Sequence, residues 1–158
     1  MRRLIASMPR RSLVTLLLLA TAALLPADTR PSAWTPPLHW AAARGYAAIV
    51  ERLLHNGADL EQRDLIGRTA LHRGARHPEV VQLLLRSGAD VSATDAFDNT
   101  ALHLGVRYQP VVEMLLDAGA DVNVRNHVER SPLDYAIRNG ESRYNLAIIE
   151  RLIAAGAR

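Results

Sequence analysis

The chain has no cysteine. Disulfides, thiol catalysis and metal centres built on thiolates are therefore excluded. It has no lysine either, and all 19 basic residues are arginine. That removes a Schiff-base lysine and a phosphate-loop lysine. Aromatic residues make up only 4% of a sequence that is 49% hydrophobic, so Leu, Val, Ile and Ala must do most of the packing. Acids are missing from the start, the first being Asp28, whereas Arg2, Arg3, Arg10 and Arg11 all precede it. Taking these four from nineteen leaves fifteen arginines against sixteen acids, a net charge of −1 beyond the start. The overall charge of +3 thus resides at one end. Without a basic surplus elsewhere, sequence-independent phosphate binding loses its driving term, and no nucleic-acid partner is expected.

A basic start, MRRLIASMPRR, is followed by the uncharged apolar run Leu13 to Leu25 and then by Pro26 and Ala27. This is the order of a secretory signal peptide. Thirteen apolar residues fall short of the roughly 20 that a spanning helix needs. Residues 1–27 are read as a signal peptide cleaved after Ala27, with Leu25 at the −3 place. Met8 is an alternative start, and Arg10 and Arg11 faintly resemble a twin-arginine signal. The expected location is the periplasm or outside the cell. The alternative is an inner-membrane anchor formed by an uncleaved leader. Residues 28–34, inside the proline-rich DTRPSAWTPP, read as an extended lead-in.

The rest of the chain, 35–158, is self-similar, which decides the architecture before any local reading. LHLGVRYQPVVEMLLDAGADVNV from Leu102 has near-copies at Leu38, Leu71 and Leu133. The repeats run over about 35–63, 64–94, 95–125 and 126–158. Each reads as two short helices closed by Gly-Ala, at Gly57, Gly88, Gly119 and Gly156. Glycine suits the left-handed residue that ends a helix. The first three of these glycines are 31 residues apart and the last interval is 37. Repeats 2 and 3 have Pro78 and Pro110 where the second helix begins, a position that tolerates proline. Repeat 4 has four extra residues around Glu141 to Leu146, read as a longer loop or a longer helix. Leu53, Leu54, Val80, Val81, Leu84, Leu115 and Ile149 lie at helical spacing and are expected to face the next repeat. Gly74, Ala75 and Gly105 keep the first helix thin.

The pattern resembles the ankyrin repeat, on Leu38-His39, Thr69 with Leu71-His72, Thr100 with Leu102-His103, and Leu133, followed each time by an apolar second helix and Gly-Ala. The resemblance covers 35–158 and implies an all-α solenoid of four helix pairs with short hairpin loops. Repeat 1 departs from it, having Pro36 where threonine is usual. Repeat 3 has Asp98 where the turn glycine is expected, so an altered turn is anticipated there. Repeat 4 has Asp134 in place of the histidine. The terminal repeats are expected to act as caps.

No catalytic constellation, metal site or cofactor is expected. His39, His72 and His103 recur in phase, but stacked repeats set them about 8–10 Å apart, while a zinc ion needs ligands at about 2 Å. The resemblance assigns them to a structural hydrogen-bond network within the turn. His55, His77 and His127 are read as solvated surface. Arg44, Arg76, Arg107 and Arg138 recur after each first helix and read as a solvated, locally paired row.

The hairpin tips carry Ile66, Phe97 and Val128, with Leu65, Ala96 and His127 beside them. The position after the motif histidine holds Trp40, Arg73, Leu104 and Tyr135. The resemblance places both sets on a concave binding face, and apolar residues there point to protein recognition. The expected function is a non-enzymatic, exported protein-binding module, monomeric, with a protein partner of unknown identity and no membrane contact once the leader is removed. Two alternatives are a secreted effector or toxin-neutralising protein, and an accessory protein that protects an exported enzyme.

Overall fold

In the computed structural model the described residues are 35–138 and 143–158, the side chains of 143 and 144 excepted. The leader, the lead-in and part of the repeat 4 insertion lie outside them.

Among the described residues eight helices form four pairs: α1 (Pro37–Arg44) with α2 (Ala47–His55), α3 (Ala70–Gly74) with α4 (Pro78–Arg86), α5 (Ala101–Gly105) with α6 (Gln109–Asp117), and α7 (Pro132–Arg138) with α8 (Arg143–Ala154). Among the described residues there is no strand, only an isolated antiparallel bridge between Thr94 and Thr100. The expected all-α solenoid is what is found. Proline opens α4 and α6 as read. The part of the repeat 4 insertion that is described belongs to helix: α8 has 12 residues where α4 and α6 have 9 each. Asn145 in its first turn is buried and donates to the Ala136 carbonyl at 2.6 Å. No helix among the described residues is long and apolar enough to cross a membrane.

One core runs the length of the stack, through Leu38, Val50, Leu53, Leu71, Val80, Val81, Leu84, Leu102, Val111, Val112, Leu115, Ile148 and Leu152. Leu54 and Ile149 are only half-buried at its edge. Small residues let the helices close on one another. A Cβ added at Gly74 would meet Val80 Cγ1 at 2.7 Å and Ala42 Cβ at 3.5 Å, and one at Gly105 would meet Val111 Cγ1 at 2.8 Å and the Ala75 carbonyl at 3.2 Å. Each glycine therefore serves the contact inside its own repeat as well as the contact with the one before. The four glycines after the second helices all have positive φ, as the sequence requires.

The histidines do more than close their own turn. In repeats 2 and 3, Nδ1 lies 3.2 and 3.1 Å from the N–H of Thr69 and Thr100, and 2.9 Å from each threonine hydroxyl. Nε2 reaches the next repeat, at 2.9 Å from the Asn99 carbonyl and 3.1 Å from the Arg130 carbonyl. Since a carbonyl only accepts, Nε2 carries the proton and Nδ1 accepts, which leaves the ring neutral. His39 bonds forward in the same way, to the Arg68 carbonyl at 2.8 Å, but with Pro36 in the threonine position its buried Nδ1 has no partner among the described residues. In repeat 4, Asp134 takes over the local half of the job, accepting from the Ser131 N–H at 2.8 Å and bonding its hydroxyl at 2.9 Å. His77 corrects its reading as solvated surface: it is half-buried, bonds the Ala43 carbonyl at 3.1 Å and fills the space under Gly45.

Candidate functional site

The hairpins that present the tip residues are built around one side chain each. Asp64, Asp95 and Asn126 each accept from two backbone N–H groups, two and four residues on, at 2.9 to 3.1 Å. Such Asx turns replace local backbone pairing and hold the loop shape without a sheet. Each turn then needs a left-handed residue. Gly67 supplies it in repeat 2 with φ +73°, where an added Cβ would lie 2.9 Å from the Ala96 nitrogen. Repeats 3 and 4 use Asp98 (φ 59°) and Glu129 (φ 56°) instead. The turn anticipated as altered at Asp98 therefore keeps its shape and takes on strain, of about 1–2 kcal/mol for a left-handed residue with a Cβ.

Neighbouring tips are tied together. The Ala96 N–H donates to the Ile66 carbonyl at 3.0 Å, and the His127 N–H to the Phe97 carbonyl at 3.1 Å. The His127 ring also reaches that carbonyl through Nδ1 at 2.9 Å and leans on the Phe97 ring, with centroids 5.3 Å apart. Leu65 is 81% exposed, Phe97 42% and Val128 48%. Ala96 and His127 are also exposed and Ile66 is half-buried. The tips are thus an apolar exposed series on a hydrogen-bonded frame.

The first-helix column differs from this series. Trp40, Arg73, Leu104 and Tyr135 are all half-buried, not freely presented. Arg73 is committed to Asp64, with Nε 2.6 Å from the carboxylate and a second, shorter contact through Nη2. Leu104 cannot pair with Asp95, and Asp95 instead takes the guanidinium of Arg68 at 3.1 Å. In repeat 4 the charge pair gives way to a neutral one. The Tyr135 hydroxyl meets Asn126 Nδ2 at 3.0 Å and Asn99 Oδ1 at 3.4 Å, and Asn126 Nδ2 bonds Asn99 Oδ1 at 2.8 Å. The Tyr135 ring stands edge-on to His103 with centroids 5.7 Å apart. Trp40 packs edge-on to Tyr46 at 5.4 Å, and its buried indole N–H has no partner among the described residues.

Among the residues of this frame that the sequence reading does not single out are Asn99, Asn126 and Glu129. The signal for Asn126 and Glu129 is their phase, 31 residues beyond Asp95 and Asp98. Nothing in the sequence flags Asn99, whose amide matters only because Asn126 lands beside it.

Burial would by itself raise the carboxyls of Asp64 and Asp95. Donation from the turn N–H groups and from Arg73 or Arg68 outweighs it and holds both below the usual carboxylate range. Burial lowers His39, His72 and His103, against the opposing pull of their bonds to backbone. These groups are structural acceptors and donors locked in place, which is poor preparation for proton transfer. Among the described residues no cluster of His, Asp or Glu is spaced to hold a metal ion.

A family model described as ankyrin repeats matches the chain in three overlapping copies, over residues 5–95, 38–126 and 77–158. E3 ubiquitin-protein ligase XBAT33 of Arabidopsis thaliana is 51% identical over 41 residues, 26% of this chain and 8% of that protein. Probable E3 ubiquitin-protein ligase XBOS33 of Oryza sativa subsp. japonica is similar to the same extent, 51% over 41 residues. The chain thus spans only 8% of the length of these curated relatives.

Proposed function

Because the chain belongs to the ankyrin-repeat family, we propose that it is a non-enzymatic binding module that is exported and holds a protein partner on its hairpin tips. The observation that carries this reading is the series Leu65, Phe97 and Val128, three large apolar side chains exposed at equivalent or adjacent places on successive hairpins. Large apolar residues exposed on three successive hairpins are unusual without a role. Two further features support recognition over accident. The tips are pre-ordered by the Asx turns, so binding loses little conformational freedom. The strained Asp98 and Glu129 sit beside Phe97 and Val128, where a glycine would have been easier. The first-helix column supports the tips from below: Tyr135 holds Asn99 and Asn126, and Arg73 fixes a hairpin through Asp64.

Export is supported by the basic start, the apolar run and Pro26-Ala27 before the first acid. Its test is the mass of the N-terminus of protein recovered from the cell envelope. A mature chain beginning near Asp28 is expected, and an intact leader on soluble cytoplasmic protein would overturn it.

Binding is tested by placing a photo-crosslinking residue at Phe97 and, as a control, at the exposed Glu79. A discrete adduct is expected from the first position and not from the second. Equal labelling from both would remove the tips from consideration.

A further inference from the structure

Arg76 and Arg107 stand five places after the motif leucines Leu71 and Leu102, in the loops that join first helix to second. Both stay exposed although their repeats have a neighbour on either side. Arg138 stands at the same place after Leu133, and Arg44 closes α1 at the same end. No other position of the pattern is basic in all four repeats. The row expected to be locally paired is not. Among the described residues Arg76, Arg107 and Arg138 make no ion pair, whereas Arg68, Arg73 and Arg151 each hold a carboxylate. The loops bring no competing charge. Segments 43–46, 75–77 and 106–108 contain no acid, and Glu79 lies with Gln82 and Arg86 on the exposed outer face of α4.

Contacts between the loops make the arginines a row. His77 Nε2 donates to the Ala43 carbonyl at 3.1 Å, and a Cβ on Gly105 would lie 3.2 Å from the Ala75 carbonyl. Successive arginines are therefore set about one repeat apart, roughly 8–10 Å. Tyr46, His77 and Tyr108 precede the second helices and run alongside the row. Tyr46 is 36% exposed and Tyr108 38%.

We propose that this edge is a second docking surface, for an extended acidic segment of a partner protein with a carboxylate at about every third residue. An extended chain advances about 3.3–3.6 Å per residue, so every third side chain recurs at about 10 Å, the spacing of the row. The guanidinium fork matches a carboxylate in two parallel hydrogen bonds. Beyond its basic start the chain is net −1, so an acidic segment is drawn to this edge and not to the molecule as a whole. The tyrosine rings wall the row on one side. They are largely covered, which leaves little apolar surface to insert into a membrane and favours a peptide over an anionic lipid surface. The hairpins enter the first helices and these loops leave them, so tips and row lie at opposite ends. The proposal therefore stands apart from binding at the tips.

The test is a nuclear magnetic resonance titration of the natural chain, at low salt, with a blocked peptide of four Glu-Ser-Gly units. The same peptide with glutamine for glutamate is the control. The acidic peptide should move the Nε–H signals of Arg76 and Arg107 and the amides of 75–77 and 106–108, and leave Leu65 and Phe97 still. The glutamine peptide should move none of them. Added salt should weaken the binding by screening it. Arg76→Gln combined with Arg107→Gln should weaken it about fivefold or more. Arg52→Gln combined with Arg86→Gln removes the same charge from exposed sites off the row and should change it by less than about twofold. All four side chains are exposed and make no ion pair among the described residues, so thermal midpoints should hold in both variants. Should one unfold, the shift map of the natural chain decides alone. No shift along the row, equal weakening by the two arginine pairs, or binding of the row to phosphatidylglycerol vesicles without response to the peptide would each overturn the proposal.

Discussion

His72 and Asn99 are 27 residues apart in sequence, yet the imidazole Nε2–H of one donates to the backbone carbonyl of the other at 2.9 Å. The same ring closes the turn behind it through Thr69. One buried side chain thus caps its own helix and pins the next hairpin. His72→Ala should cost about 2–4 kcal/mol, since it strands a buried N–H and a buried carbonyl as well as leaving a cavity. Urea denaturation checks it. A midpoint unchanged from the natural chain would mean that the ring does not couple the repeats.

Pro36→Thr should act in the opposite direction. It supplies a hydroxyl and an N–H for the unpartnered Nδ1 of His39, completing in repeat 1 what Thr69 and Thr100 do elsewhere. A gain of about 0.5–2 kcal/mol is expected, the usual worth of a helix cap. A thermal midpoint that falls would show that the proline contributes more than the missing bonds.

Stability should fall in acid in two steps. Burial holds His39, His72 and His103 below their ordinary value of 6.5. Around that pH the unfolded chain takes up protons and the folded chain does not. Their contribution is therefore complete above 6.5 and lost as pH falls through it toward the folded values. A second loss should follow below 3.8, where Asp64 and Asp95, also lowered in the folded state, are protonated first in the unfolded chain. Urea midpoints measured from about pH 8 to about pH 3 check both steps. A flat profile across 6.5 would mean that the imidazoles are not buried neutral.

Asp98→Gly and Glu129→Gly should each stabilise the chain by about 1 kcal/mol by relieving a left-handed residue. If the acids are present for the partner, the same variants should weaken capture. Stabilisation alone, with capture intact, would make the strain incidental.

How much of this was legible beforehand follows the physics. The solenoid was, because Leu, Gly and the Thr-x-x-His pattern repeat in phase, and a unit that small must stack. The left-handed glycines and the prolines opening α4 and α6 were too, since backbone geometry allows few other residues there. What was not legible depends on who stands opposite whom. Arg73 looks like a free arginine until Asp64 appears nine residues back across a turn. Tyr135 looks like a binding aromatic until two asparagines from different hairpins converge on its hydroxyl. His77 looks like surface until Gly45 leaves it room.

The central claim is that scaffold and recognition are separable, with recognition on the exposed tips. It is tested most directly by Leu65→Asp combined with Phe97→Asp, measured for both unfolding and partner capture. Both side chains are more than a third exposed, so the unfolding free energy should stay within about 0.5 kcal/mol of the natural chain. Capture by the crosslinking residue, placed for this comparison at Val128, should disappear. Undiminished capture by the stably folded double variant would contradict the account.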